Sequence, residues 1–344
     1  MIDLSNKTIA LIGGAGFIGH NLGLALKGLG AQVHVVDGLQ VNNLLAFAGA
    51  GQEVANRDLY LRILNERLDL LRNAEIPLHV IDARDYHALS RVLATIAPDI
   101  VVHLAAVAHA NVSNKDPFST FDHSLRTLEN ALDNCRHRTI ERFIYLSSSM
   151  IYGDFDGGMV TEESICSPLG IYGALKFSGE KMVIGYNQVF KLPYTIIRPS
   201  ALYGQRCVSR RVGQIFIENA MTGREITING DGNEYLDFTY IGDFVQGVVR
   251  CMQHEEARNE IFNITYGNAR TISDMVDILQ RYYPDATIRH TPRDQLLPKR
   301  GTLSIDKARR LVGFEPAYPL ERGFAEYIDW YRSFGAGGIP VIDD

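Results

Sequence analysis

No run of apolar residues in this sequence is long enough to span a bilayer, so a helical membrane protein is not expected. A Lys/Arg stripe is missing too. The 34 basic and 40 acidic residues are interspersed, and the net charge of −6 argues against nucleic acid or an anionic membrane as the main partner. Cysteine is scarce. Cys135, Cys166, Cys207 and Cys251 are scattered with no C-x-x-C pair, which argues against a disulfide framework or a zinc cluster, and no metal site is expected. The opening Met-Ile-Asp-Leu-Ser-Asn-Lys lacks the apolar region and cleavage site of a secretory leader. A reduced, cytoplasmic location is therefore expected. Low-complexity segments and short repeats are absent. Only residues 335–344, with three glycines and an acidic end, read as a loose tail.

What is present is an apolar fraction of 46% in 344 residues, enough for one large domain or two unequal ones. The chain opens with Thr8-Ile-Ala-Leu-Ile12, then Gly13-Gly14-Ala15-Gly16-Phe17-Ile18-Gly19, then a helical stretch from His20 to Leu29. Gln32 to Val36 is a second apolar run that ends at Asp37. Strand, glycine turn, helix, strand and acid in that order form a unit that can hold a dinucleotide. Glycines let backbone approach a pyrophosphate, and a helix N-terminus favours its charge. Asp37 is placed to bind a ribose diol and would repel a 2′-phosphate, so NAD is preferred to NADP.

Residues 38–76 are long for a βα connection. They contain a helix with Leu59, Ile63, Leu64, Leu68 and Leu71 at helical spacing, read as packing on the sheet. Alternation then resumes: strands at 77–81, 99–104, 142–146 and 194–198, with helices at 86–96, 117–135 and 172–190 between them. This pattern predicts an α/β fold, a Rossmann-type doubly wound parallel sheet. After Pro199 the pattern changes to shorter pieces, read as a smaller C-terminal α/β substrate-binding cap. The expected division is a nucleotide-binding domain at 1–199, completed by about 237–265, with the cap at 200–236 and 266–334.

A hydroxyl cluster, Ser147-Ser148-Ser149, ends the strand at 142–146, and Tyr172-Gly-Ala-Leu-Lys176 follows. Residues four apart share a helix face. An ammonium beside a phenol favours the phenolate and gives a proton acceptor nearer neutral pH. Taken alone, Tyr-x-x-x-Lys is a common accident of helical sequence.

Together these residues resemble the extended short-chain dehydrogenase/reductase family, in particular its NAD-dependent nucleotide-sugar epimerases and dehydratases. The resemblance covers nearly the whole chain. It rests on Gly13-x-x-Gly16-x-x-Gly19, Asp37, Asp82, His103-Leu-Ala-Ala106, Ser147-Ser-Ser-Met-Ile-Tyr-Gly153, Tyr172-x-x-x-Lys176, Arg198-Pro199, Tyr203-Gly204, Gly230-Asp-Gly232, Asp237-Phe-Thr-Tyr240 and Lys307-Ala-Arg-Arg-Leu-Val-Gly313. It implies that Gly13, Gly16, Phe17, Ile18 and Gly19 cradle the pyrophosphate and Asp37 the ribose. Asp82 and Ala83 border the adenine. Leu104, Ala105, Ala106, Ser147 and Pro199 line the path to the nicotinamide. Lys176 holds the nicotinamide ribose and biases Tyr172, Ser148 binds the reacting hydroxyl, and Tyr172 removes its proton. The implied substrate is a nucleotide-diphosphate sugar, and the implied assembly is a homodimer.

The family's dehydratases carry an Asp-Glu pair where this chain has Ser149-Met150, so elimination is disfavoured and the pattern resembles the 4-epimerases. Substrate-side positions depart from the family. Ala201 stands near the place of a usual Asn, Glu234-Tyr-Leu replaces a diphosphate-gripping Gln-x-Arg, and His123 replaces a bracing Asn. Arg300 is retained, and Arg206, Arg210 and Arg211 offer compensating charge. Cys166 and His109 are further candidates near the pocket, each with a purely structural alternative. The expected function is epimerisation at C4 through a transient keto-sugar. A 4-dehydrogenase or 4-keto-reductase, a dehydratase, and a non-catalytic NAD sensor are the alternatives.

Overall fold

A computed structural model describes residues 1–48, 56–107, 110–293 and 298–335. His109 and the proposed tail from 336 onward lie outside the described residues. The first half runs β1 (Thr8–Ile12), α1 (Phe17–Gly28), β2 (Gln32–Asp37), α2 (Leu44–Ala48), α3 (Arg57–Asn73), β3 (Leu78–Val80), α4 (Tyr86–Ile96) and β4 (Ile100–His103). Then come α5 (Ala110–Lys115), α6 (Pro117–Phe121), α7 (Thr127–Arg136), β5 (Arg142–Leu146), β6 (Met159–Val160), α8 (Gly170–Phe190) and β7 (Tyr194–Arg198). The second half contains β8 (Leu202–Tyr203), α9 (Val212–Met221), β9 (Ile226–Asn229), β10 (Tyr235–Leu236), β11 (Thr239–Tyr240), α10 (Ile241–Gln253) and β12 (Glu260–Asn263). It ends with β13 (Arg270–Thr271), α11 (Ile272–Tyr282), β14 (Ile288–Thr291), β15 (Thr302–Leu303), α12 (Asp306–Val312) and α13 (Leu320–Gly335).

Seven parallel strands form the central sheet in the order β3-β2-β1-β4-β5-β7-β12. This is the Rossmann-type doubly wound arrangement that the alternation predicts. Strand order reverses between β1 and β4, and such a reversal opens a crevice at the carboxyl ends of the strands. β4, β5 and β7 are buried at every residue because helices cover both faces. One apolar cluster joins α1, α3 and α10 to the sheet and continues into α9, α11 and α13. A second lies under α4, α7 and α8, and a small third one joins Ile151, Tyr152 and Phe155 to Val160 and Leu303.

Two stretches differ from expectation. The helix read as 117–135 is broken by a π-helical turn at Asp122–Arg126. Apolar spacing continues through this turn, so it leaves no mark in the pattern. The Thr127 hydroxyl donates to the His123 carbonyl at 2.9 Å.

The α3 insertion does more than cover the sheet. It packs on α1, where Gly23 leaves room for Leu71 and Ile76. It also reaches the second half: the Tyr60 hydroxyl and the Asn56 amide each donate to Glu218 of α9 at 2.7 Å. Arg62 donates to the Phe334 carbonyl at 3.1 Å.

Candidate active site

The crevice at the strand reversal is lined by Gly13, Gly16, Phe17, Ile18, Gly19, Asp37, Asp82, Ala83, Leu104, Ala105 and Ala106. Its glycines are required by space. Gly13 has φ +80°, and a Cβ there would lie 2.6 Å from the Ala105 nitrogen. A Cβ at Gly19 would lie 2.4 Å from the Gly14 carbonyl oxygen. Gly16 caps α1 without a side-chain hydrogen bond, leaving first-turn N–H groups for a ligand.

Asp37 closes β2 and accepts from the backbone N–H groups of Ala15 and Leu39 at 2.9 and 2.7 Å. Burial raises its pKa, and the two N–H groups oppose that rise. Burial alone would raise Asp82 as well. Hydrogen bonds from Arg84 and Gln40 outweigh it and hold the carboxyl at about 2. The crevice thus offers a backbone cradle for phosphate and two carboxyl groups, Asp37 and Asp82, for hydroxyl or amino groups, a set that fits NAD.

Ser148 ends in extended backbone, and its Oγ accepts from the Met150 N–H at 3.2 Å as the short 3₁₀ turn Ser149–Ile151 begins. Helix α8 crosses this turn very closely, because a Cβ on Gly173 would lie 2.7 Å from the Met150 carbonyl oxygen. That approach brings the Tyr172 phenol onto the Ser148 hydroxyl. Burial raises the Tyr172 pKa, while the Arg211 charge and the Ser148 hydrogen bond lower it.

Lys176 lies one turn beyond Tyr172 on α8 and is buried. The Lys176 ammonium donates to the Leu146 carbonyl at 2.6 Å and sits over the Tyr145 ring. Burial pulls Lys176 down to about 8, against the raising effect of Glu180. Ser147 is buried with its hydroxyl unpartnered, and the Pro199 carbonyl accepts from the Ser149 N–H at 2.9 Å.

On the substrate side the arginines divide. Arg206 pairs with Glu66 and His20, and Arg210 donates to Tyr60, so both are committed to the α1 and α3 side. Arg211 lines the crevice, and its charge acts on both Tyr172 and Arg300. Burial and the Arg211 charge together lower Arg300 to about 10, against the raising effect of Glu234. Glu234 is itself neutralised by Arg293 at 2.6 Å, a partner the sequence did not reveal. Ala201 adopts φ +36°, a region costly for a residue with a Cβ and better tolerated by Asn, the residue the family pattern favours nearby. Ser149 is buried in its turn.

Two further sequence candidates have partners of their own. The His123 ring contacts the Ser119 carbonyl and Gln40 and lines the Asp82 side of the crevice. The half-buried Cys166 thiol contacts Arg198 and the Ser164 carbonyl. Gln40, Arg67, Thr127, Leu202 and Ser209 also line the crevice and were not anticipated. Among the described residues no cluster of metal ligands forms, and no helix is long and apolar enough to cross a membrane.

The sequence profile of the NAD dependent epimerase/dehydratase family matches residues 9–265. The chain belongs to this family. NAD is accordingly its cofactor. Family members similar to it include an uncharacterised UDP-glucose epimerase of Bacillus subtilis, 30% identical over 70% of this chain and 76% of that one. A UDP-glucuronate 4-epimerase of Thermodesulfobacterium geofontis is 26% identical over 93% and 94%. The crystal structure of the Bacillus cereus UDP-glucuronic acid 4-epimerase with UDP-glucuronic acid and NAD superimposes with a TM-score of 0.83. It is 26% identical and covers 94% of this chain and 99% of its own. The Thermotoga maritima UDP-glucose 4-epimerase with UDP-glucose gives 0.81 at 26% identity, covering 94% and 98%. Members of this family resembling the chain thus include UDP-sugar 4-epimerases.

Proposed function

We propose that this protein is a nucleotide-sugar epimerase acting at C4. The observation that carries the reading is the Ser148–Tyr172 pair, set beside Arg211 and followed by Ser149 and Met150 in place of an acid pair. NAD, when bound, supplies a hydride acceptor and donor. The residues that would hold it are Gly13, Gly16, Phe17, Ile18 and Gly19 at the phosphates, Asp37 at the ribose, Asp82 and Ala83 at the adenine, and Leu104, Ala105, Ala106, Ser147, Lys176 and Pro199 toward the nicotinamide.

Ser148 holds the sugar hydroxyl, and Tyr172 takes its proton and later returns it. The charges of Arg211 and Arg300 repel each other, and a diphosphate bound near them would relieve that repulsion and add charge-assisted hydrogen bonds. Ser149 and Ala201 border the same region. No carboxylate stands beside Ser148 in sequence to remove a proton alpha to a ketone, which supports epimerisation over elimination.

The test is incubation with a panel of UDP-, GDP-, CDP- and dTDP-sugars, followed by NMR and by absorbance of NADH. An epimeric sugar without net NADH is expected. Stoichiometric NADH would replace the reading with a dehydrogenase.

The proposed division into a nucleotide-binding domain at 1–199, completed by 237–265, and a cap is supported by β12 joining the central sheet. A homodimer through the helix carrying Tyr172 and the one around 121–135 is supported by exposed Phe121, Val189 and Phe190 on those helices. Light scattering at twice the 38.4 kDa chain mass is expected, and a monomer would end that proposal. Four free thiols support a reducing, cytoplasmic location.

A further inference from the structure

Arg67 lies on the insertion helix α3 and is only 1% exposed. Its Nε and Nη2 both donate to the Arg206 carbonyl. Its Nη1 is buried with no hydrogen-bond partner. A carbonyl dipole does not neutralise a guanidinium, and a buried cation without an anion is costly unless a ligand supplies one.

The surroundings say which ligand that is. Arg67 lines the NAD crevice together with Gly16, Phe17 and Gly19 of the uncapped α1 N-terminus. Its charge acts on His20, whose ring is bonded to the Gly16 carbonyl. It also acts on Asp37, but that carboxylate already accepts two backbone N–H groups. Arg67 therefore stands where two anion-seeking features converge: the open first turn of α1 and an N–H with nothing to bind.

We propose that Arg67 is a cofactor-binding residue that grips the dinucleotide pyrophosphate from the side opposite the glycine turn. Because the same guanidinium holds the Arg206 carbonyl, pyrophosphate binding also fixes the segment running to Arg211. The α3 insertion thereby couples cofactor binding to the position of the cation whose charge acts on Tyr172.

The test is calorimetric titration of the nucleotide-stripped full-length protein with NAD, ADP-ribose and adenosine. Arg67→Met and Arg67→Gln are expected to weaken NAD and ADP-ribose about ten- to a hundredfold, by loss of a charge-assisted phosphate contact. Affinity for adenosine, which has no phosphate, should change less than twofold. Arg67→Lys should recover part of the loss. If the neutral variants do not fold, the lysine variant carries the test alone, since its smaller loss must again spare adenosine. Equal weakening of adenosine, or unchanged NAD affinity in a folded variant, overturns the proposal.

Discussion

Tyr172→Phe is expected to lower turnover by about 10²- to 10⁴-fold, the usual contribution of a positioned general base. Fold and NAD affinity should persist, because the phenyl ring keeps its packing and only the hydroxyl facing Ser148 is lost. Near-normal turnover in the Phe variant would remove Tyr172 from the mechanism.

The companion measurement is a pH profile at saturating substrate. Burial raises the Tyr172 pKa, and Arg211 and Ser148 are the groups that bring it back down. Arg211→Met should therefore move the acidic limb of the kcat profile to higher pH, because more alkaline conditions are needed to free the phenol oxygen. A change confined to KM, with the limb in place, would assign Arg211 to substrate binding alone.

The largest effect on stability is expected from Glu180→Ala, about 3–5 kcal/mol, the cost of stranding one partner of a buried ion pair. Glu180 and Arg198 are 1% and 3% exposed in their side chains and meet through two parallel hydrogen bonds of 2.9 and 2.8 Å. All five Arg198 N–H groups are engaged. Two go to Glu180, one each to the Tyr152 hydroxyl and the Glu162 carbonyl, and a long one to Cys166. One guanidinium thus ties β7, α8 and the segment around residue 162 together. Urea unfolding measures the loss, and a change below about 1 kcal/mol would place the pair among those with no net contribution. Glu180→Ala should also depress Lys176 further, since Glu180 is the charge that holds it up.

What the sequence made legible was local. The glycine turn, the acid closing β2 and the alternation of strands and helices are contiguous signals, and each landed in the fold as read. Ser148 and Tyr172 could be paired because the motif surrounding them has recognisable spacing.

The unreadable features depend on partners remote in the chain. Arg67 meets the carbonyl of Arg206, and Glu234 meets Arg293. Neither pair follows a helical or strand period. The Lys176 ammonium likewise meets a backbone carbonyl, which every residue possesses and no sequence pattern announces. The π-helical turn at 122–126 was hidden because an apolar face can continue through a local change of winding. It was enough to set His123 beside Gln40.

The last strand of the central sheet has a consequence for synthesis. β12 pairs with the outer edge of β7, yet the chain from 199 to 259 is made between them. While the ribosome adds that segment, β7 presents an unpaired edge with open backbone donors and acceptors, the kind of edge that recruits other strands. Protein released before residue 263, or cut at 199, keeps this edge permanently. Shortened forms that retain every proposed catalytic side chain should therefore aggregate, and the nascent first half is a natural client for a chaperone until its final strand arrives.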